Sequence, residues 1–470
     1  MGKTKKHVKF FEFLTVFSTA VGITIGIGIY LKNDTSEGRV LYFTQNPYLT
    51  IALWILVCIL GIAMIMVFIE IASINTKSGD VTLASWANVL IGRKVGSLFS
   101  IFYIFFYFPT LLGIFPIFSI NTMFDALEIK SITKGTQNAI AISLGSILLI
   151  LFYLLNIFLL NVGRWVQTIG TFVKFIPLLV SLIIGFIIPM NGNVFDSFKE
   201  LKFGNFFMGL LPVLFSFDGF IYAAGLQKEV SNKNVVPKAL FVAMVFITVF
   251  YLIQVISLFL GTNDGSVFSL FNNIIGGPID CVLNWFIVIT ALMSINGLTF
   301  VSPALGQTVQ DERLVYIGKK ELSYHQIGLI QMAITVSFNL IIMGTSLGIK
   351  DDPLYLLDIS SNAVSFVAFI CYISLIVAVW VNRYTKRVEV TKVKGMYYYA
   401  GFAIFLLLVS ICYIIYSFAA FKSNHNTLYS LAIIIGGSLI LWGINELLLN
   451  KTTTQVPYQI KTPVMNKINQ

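Results

Sequence analysis

Residues 21–33 read VGITIGIGIYLKN, within the first long apolar segment of the chain. Gly22, Gly26 and Gly28 crowd the middle of it. Each glycine weakens a helix, because it gives up more backbone freedom on folding than any other residue. The isoleucines and threonine between them are only moderate helix formers in water. A chain that interrupts its first apolar segment in this way needs a physical reason, and the solvent it folds in supplies one.

The chain has 470 residues, of which 57% are hydrophobic and only 11% charged, with a mean hydropathy of +0.87. Soluble domains carry about 25% charged residues, so this solvent is a lipid bilayer. Apolar runs long enough to cross about 30 Å of hydrocarbon fall at about 11–31, 49–74, 96–121, 138–160, 167–189, 205–225, 238–260, 281–305, 327–349, 356–380, 397–419 and 427–449. Backbone groups in hydrocarbon must be paired internally, and runs of this length mean helices rather than barrel strands. The expected class is therefore an all-α integral membrane protein with twelve spans. The first run contains Glu12 and is followed by many others, which argues against a cleaved signal peptide.

Charge gives the orientation. With the amino terminus in the cytoplasm, 22 of the 31 basic residues fall in cytoplasmic segments, eight in the opposite loops, and Lys174 inside a span. The positive-inside rule then places both termini in the cytoplasm of a multi-pass cell-membrane protein. The expected organisation is a tail over 1–10, a core over 11–380, two further helices over 397–449 and a tail over 450–470.

Several classes drop out. No loop is long enough for a soluble catalytic domain, and no phosphate-cradling glycine loop with its lysine is present. The net charge of +10 is not gathered on a soluble face, which argues against nucleic acid. Cys58, Cys281, Cys371 and Cys412 share no close spacing, and His7, His325 and His425 make no cluster. No metal or cofactor is expected.

Non-helical backbone at bilayer depth is tolerated where it is buried in protein or lines a polar cavity, and transporters use such breaks to bind ions and polar groups. The stretch around Thr24, Ile25, Gly26, Ile27 and Gly28 is one candidate break; Gly22 and Gly26, four apart, also suit close helix packing. The second candidate lies in LLPVLFSFDGFIYAAG, residues 210–225, where Pro212 interrupts the hydrogen-bond ladder and Asp218-Gly219 follows near mid-span. An ionisable side chain at that depth is a functional-site hypothesis, with a structural polar contact between helices as the alternative. Breaks in spans one and six occupy corresponding positions if spans 1–5 and 6–10 are inverted repeats.

The chain resembles the amino acid–polyamine–organocation family of permeases. Residues 21–30, VGITIGIGIY, look like its first-helix signature, with Tyr30 where phenylalanine is usual. VLFSFDG at 213–219 and AAGLQKEVSNKNVVPKAL at 223–240 look like its sixth helix and the turn into the seventh, including Glu229, Asn232, Pro237 and Lys238. NVGRWVQTIGTFVKFIPL at 161–178 carries Gly163, Lys174 and Pro177 at the familiar places, and 291–314 follows the helix-eight pattern through Asn296 and Ser302 to Asp311. Ile221 stands where some members have glutamate and Pro303 where arginine is usual, and the position of Asp218 varies across the family.

The resemblance covers about residues 10–380 and implies a five-plus-five inverted-repeat (LeuT-like) core with two additional carboxy-terminal helices. It implies secondary transport of amino acids by alternating access. The carboxylate would meet backbone N–H groups around Ile25–Gly28, and the ammonium would meet carbonyls near Phe215–Asp218, with Ser216 and Gly219 at the same place; Asp218 would strengthen the cation end or select a basic substrate. Phe215 looks like the family's gating aromatic, and Tyr103 and Tyr107 are candidate cavity polars. Lys174 lies about 10 Å into its span at 1.5 Å per residue, where it either snorkels to the headgroups or switches charge during a cycle. In several members the matching lysine stands where related transporters bind sodium, so a proton, or exchange of one amino acid for another, is the expected coupling.

Two other classes remain. A membrane enzyme needs a cluster of ionisable groups at one depth, and Asp218 and Lys174 are the clear charges inside central spans. A sensor keeps the transporter fold without transport. Within transport, exchange of amino acids for polyamines or metabolites is the alternative, and counterflow of labelled amino acid separates these readings.

Overall fold

The computed structural model describes residues 2–74, 76, 82–129, 131–197, 203–219, 235–275, 277–318, 321–420 and 425–453. Ile221, Glu229 and Asn232 lie outside them, as does the end of the expected sixth span. Every regular element among the described residues is helical. In chain order we label them α1 (Gly2–Thr24), α2 (Gly28–Lys32), α3 (Pro47–Ala72), α4 (Arg93–Phe102), α5 (Phe108–Ala126), α6 (Lys134–Phe158), α7 (Leu160–Val173), α8 (Phe175–Ile187), α9 (Leu210–Phe217), α10 (Val235–Gly261), α11 (Gly277–Asp311), α12 (Tyr324–Lys350), α13 (Tyr355–Thr385), α14 (Met396–Ala420) and α15 (His425–Thr453).

Nine helices among the described residues are long and apolar enough to cross a membrane, with α4 and α5 counting as one through the π-helical turn Tyr103–Tyr107. Three further apolar stretches are shorter: Glu12–Gly22, Phe175–Ile187 and Asn205–Phe217. They fall on expected spans one, five and six. The chain is thus an all-α, multi-pass membrane protein.

Interruptions in the first, fifth and third spans shape the molecule, beside the one in the sixth. The first span breaks over Ile25–Ile27, between α1 and α2. The fifth, expected to be continuous, is divided at Lys174 into α7 and α8. Pro177 explains this: it has no N–H for the carbonyl four residues back, at Val173, and its ring crowds that carbonyl. In the third, Pro109 has no N–H to offer, and the helix widens instead, with Phe108 N–H bonding Tyr103 O.

α5 lies along α11 and α3 along α10, while α9 packs on α2, α3 and α13. The carboxy-terminal pair lies outside this group, α14 on α3 and α15 on α13.

Charged side chains tie helix ends together. Glu70, fully buried at the end of α3, holds the guanidinium of Arg383 on α13 and accepts from Val393 N–H at 2.9 Å. Arg93 at the start of α4 pairs with Glu446 on α15. Both are bidentate arginine–carboxylate pairs, the geometry that survives partial burial best.

Candidate substrate site

A helix that stops inside a membrane leaves its last carbonyls without intrahelical partners. At the end of α1 they are taken up one by one. Val21 O accepts from Ile25 N–H at 2.9 Å, Gly22 O accepts from the Lys174 ammonium, and Thr24 O accepts from the Tyr251 hydroxyl at 3.0 Å. Lys174 is 5% exposed, with its amine turned inward to α1 rather than outward to the headgroups. A cation there meets the negative end of the α1 dipole.

The second break mirrors the first. α9 ends at Phe217, Asp218 is extended (φ −61°, ψ 142°), and Gly219 has φ +108°, a left-handed conformation that favours glycine. Asp218 N–H bonds Phe215 O at 3.2 Å, and Ser216 O accepts from the same Tyr251 hydroxyl, also at 3.0 Å. One phenol on α10 therefore faces a terminal carbonyl from each broken helix. Its ring is held by Trp54 and Phe217, with centroids 5.2 and 5.0 Å away.

The glycines in the first span divide the work. A Cβ on Gly28 would lie 2.6 Å from Ser216 Cα, so Gly28 is what lets α2 touch α9. A Cβ on Gly26 meets nothing within 4 Å. Gly26 faces open space beside the break, whereas Gly28 opens the next helix and serves packing. Thr24 is buried and its hydroxyl has no partner among the described residues.

Asp218 is half-buried and heavily bonded. Tyr107 Oη donates to Oδ2 at 2.5 Å, Tyr372 Oη to Oδ1 at 2.7 Å, and Gly219 N–H to Oδ1 at 2.9 Å. Tyr103 Oη in turn donates to Tyr372 Oη at 3.4 Å. The π-turn sets Tyr103 and Tyr107 close together, ring centroids 4.6 Å apart, so both reach one carboxylate network. Tyr103 also lines a cavity of about 330 Å³ with Thr82, Phe108, Leu305 and Thr308.

Beyond the first break a buried charge cluster joins the helices. The Lys32 ammonium is wholly buried, bonds Asp358 and Ser361, and lies 4.8 Å from the centre of the Phe215 ring. Arg39 pairs with Asp34, and its Nε is 3.5 Å from Asp358. Two cations and two carboxylates thus join α2 and the segment after it to the start of α13.

The residues singled out in the sequence come together around these breaks: Thr24–Gly28, Lys174, Tyr103, Tyr107, Phe215, Ser216, Asp218 and Gly219. Asn296 and Ser302 do not join them. Asn296 donates to Gly163 O at 3.0 Å and Gln167 Oε1 at 2.9 Å, and Ser302 to Gln331, so they bind helices to one another. Tyr251, Tyr372 and the Lys32–Asp358 pair were missed. Among the described residues no cluster of His, Cys, Asp and Glu could hold a metal ion.

The family profile "Amino acid permease" matches residues 11–439. The chain belongs to the amino acid permease family. It is 28% identical over 340 residues to an uncharacterized protein of Mycoplasma pneumoniae, a match covering 62% of this chain and 59% of that one. It is 24% identical over 390 residues to the Serine/threonine exchanger SteT of Bacillus subtilis, covering 80% of this chain and 84% of that protein. The permease matches the Mycoplasma relative over less than two thirds of that protein's length.

Proposed function

We propose that this permease carries amino acids across the cell membrane by secondary transport, with the substrate lying between the breaks at Ile25–Ile27 and Asp218–Gly219. The observation that carries this reading is the Tyr251 hydroxyl. It faces Thr24 O and Ser216 O, so the interrupted ends of two helices distant in sequence meet at one point. The carboxylate would be held by N–H groups around Ile25–Gly28, the ammonium by carbonyls at Phe215–Asp218, and Phe215 would cover the substrate from the side of the Lys32–Asp358 pair. The exchanger SteT makes serine, threonine and their small neutral relatives the first substrates to try.

Twelve spans in a five-plus-five inverted repeat are the architecture that supports such a cycle. Exchanging each span of the first five with its counterpart five spans later turns one helix contact into another. α1 on α10 becomes α9 on α3; α8 on α10 becomes α13 on α3; α6 on α11 becomes α12 on α5. Both members of each pair are in contact. With both termini in the cytoplasm, the Lys32–Asp358 closure lies on the outer side.

Lys174 is the proposed coupling residue. Its ammonium satisfies Gly22 O at the end of α1, a place where a free cation would otherwise serve. Loss of its proton would release α1, tying a proton to the change of access; no sodium is needed. Lys174→Ala is expected to retain substrate binding while uptake stops responding to an imposed pH gradient, measured in proteoliposomes driven separately by proton and sodium gradients. Normal proton-driven accumulation by the variant would remove Lys174 from this role.

Counterflow tests the function itself. Vesicles preloaded with unlabelled L-serine or another neutral amino acid should transiently accumulate the labelled form. Failure of every neutral amino acid, with accumulation of a labelled polyamine, would transfer the reading to polyamine exchange.

A further inference from the structure

We propose that Asp218 is a proton-binding site, and that the ammonium of an arriving amino acid displaces its proton, so that proton and substrate alternate on one carboxylate. The proposal rests on the substrate placement above and adds proton binding to a residue that the placement uses only at the ammonium end.

The first argument is charge balance. An ionised carboxylate at bilayer depth is costly unless a cation faces it. The groups around Asp218 are Tyr103 and Tyr107 from the third span and Tyr372 from α13, all neutral phenols. On α2, Tyr30 is neutral and the Lys32 ammonium is committed to Asp358 and Ser361. On α3, Cys58 is a neutral thiol and Glu70 is held by Arg383; Cys371 on α13 is a thiol as well. Lys174 serves Gly22 O at the other break. Among the described residues, no cation pairs with Asp218. Two species that enter such a site can supply the missing positive charge: a proton and the ammonium of the substrate.

The second argument is the chemistry of the partners. Lysine or arginine can only donate hydrogen bonds, and would suit the ionised carboxylate alone. A phenol donates or accepts by turning one hydrogen. Tyr107 can donate to an ionised Oδ2 or accept from a protonated one, with the oxygens left where they are, 2.5 Å apart. Tyr372 keeps Oδ1 supplied, and accepts from Tyr103. The same cage therefore fits both protonation states. It also offers an exit: Tyr372 takes the Asp218 proton and gives its own to Tyr103, which gives up its own in turn, so each phenol oxygen gains one proton and loses one. Water entering the cavity that Tyr103 lines would receive it. No bond other than O–H forms or breaks, and no electrons are transferred.

Titration calorimetry of the purified full-length permease with L-serine, in two buffers of different ionisation enthalpy, reads the proton directly. Wild type is expected to release up to one proton per serine bound in mildly acidic solution, and the apparent affinity should weaken by up to about tenfold for each unit fall in pH. Asp218→Asn should release none and bind with little pH dependence. Serine binding by wild type without proton release at any pH, or equal release by Asp218→Asn, overturns the proposal. Should Asp218→Asn fail to fold, the wild-type pH series still decides. If no neutral amino acid binds wild type at all, the transport reading itself fails, a different result from binding without release.

Discussion

Gly28→Ala is expected to abolish uptake and to destabilise the purified protein, whereas Gly26→Ala leaves the fold intact. A single methyl at position 28 would lie 2.6 Å from Ser216 Cα, a backbone atom that cannot swing aside as a side-chain tip can. α2 must then withdraw from α9, and overpacking of this kind costs about 1–3 kcal/mol or more. The withdrawal would also part Thr24 O from Ser216 O, which the Tyr251 hydroxyl joins. At position 26 the same methyl meets nothing within 4 Å, so Gly26→Ala is tolerated and Gly26→Leu should block substrate binding by filling that space. Thermal unfolding and labelled-substrate binding on the three variants separate packing from occupancy. Equal stability losses at 26 and 28 would refute this division of labour.

Lys32→Ala and Asp358→Ala are expected to be as damaging as any single change in the permease. Lys32 is 0% exposed, so the loss of Asp358 strands its ammonium, and the loss of Lys32 leaves two carboxylates, Asp34 and Asp358, to share Arg39. Removing one partner of a buried ion pair costs about 3–5 kcal/mol. At about 1.4 kcal/mol per tenfold, that is at least a hundredfold shift away from the closed arrangement. The double variant should be milder than either single one, because Arg39 and Asp34 remain as a neutral pair. A double-mutant cycle on uptake and thermal stability measures this. Strictly additive losses would mean that the pair contributes no closing energy.

Much of the site was legible in the sequence because breaking a helix in a membrane requires unusual residues. Three glycines over seven positions marked the first break and Asp218-Gly219 marked the second, whereas Pro212, expected to interrupt the ladder, stands in the first turn of α9, where its missing N–H costs little. The division between Gly26 and Gly28 was not legible, since it depends on what stands opposite each. Tyr251 was missed for a plain reason: it is one of 20 tyrosines and sits within an otherwise apolar helix. Tyr372 and the pairing of Lys32 with a partner 326 residues away depend on how helices are arranged, which local pattern does not encode. Pro109 and Pro177 did carry a signal for the π-turn and for the break at Lys174, through the N–H groups they lack.

Protection of a cysteine at the first break tests the central claim most directly. In a background with the four native cysteines replaced, Gly26→Cys places a small thiol where a Cβ has open space. Its rate of alkylation by a small thiol reagent is then followed in reconstituted, transport-active protein with increasing L-serine. If substrate lies between the two breaks, alkylation slows as serine rises, with half-protection at the concentration that half-saturates uptake. An alkylation rate unchanged by saturating serine, in protein that still transports it, would place the substrate elsewhere.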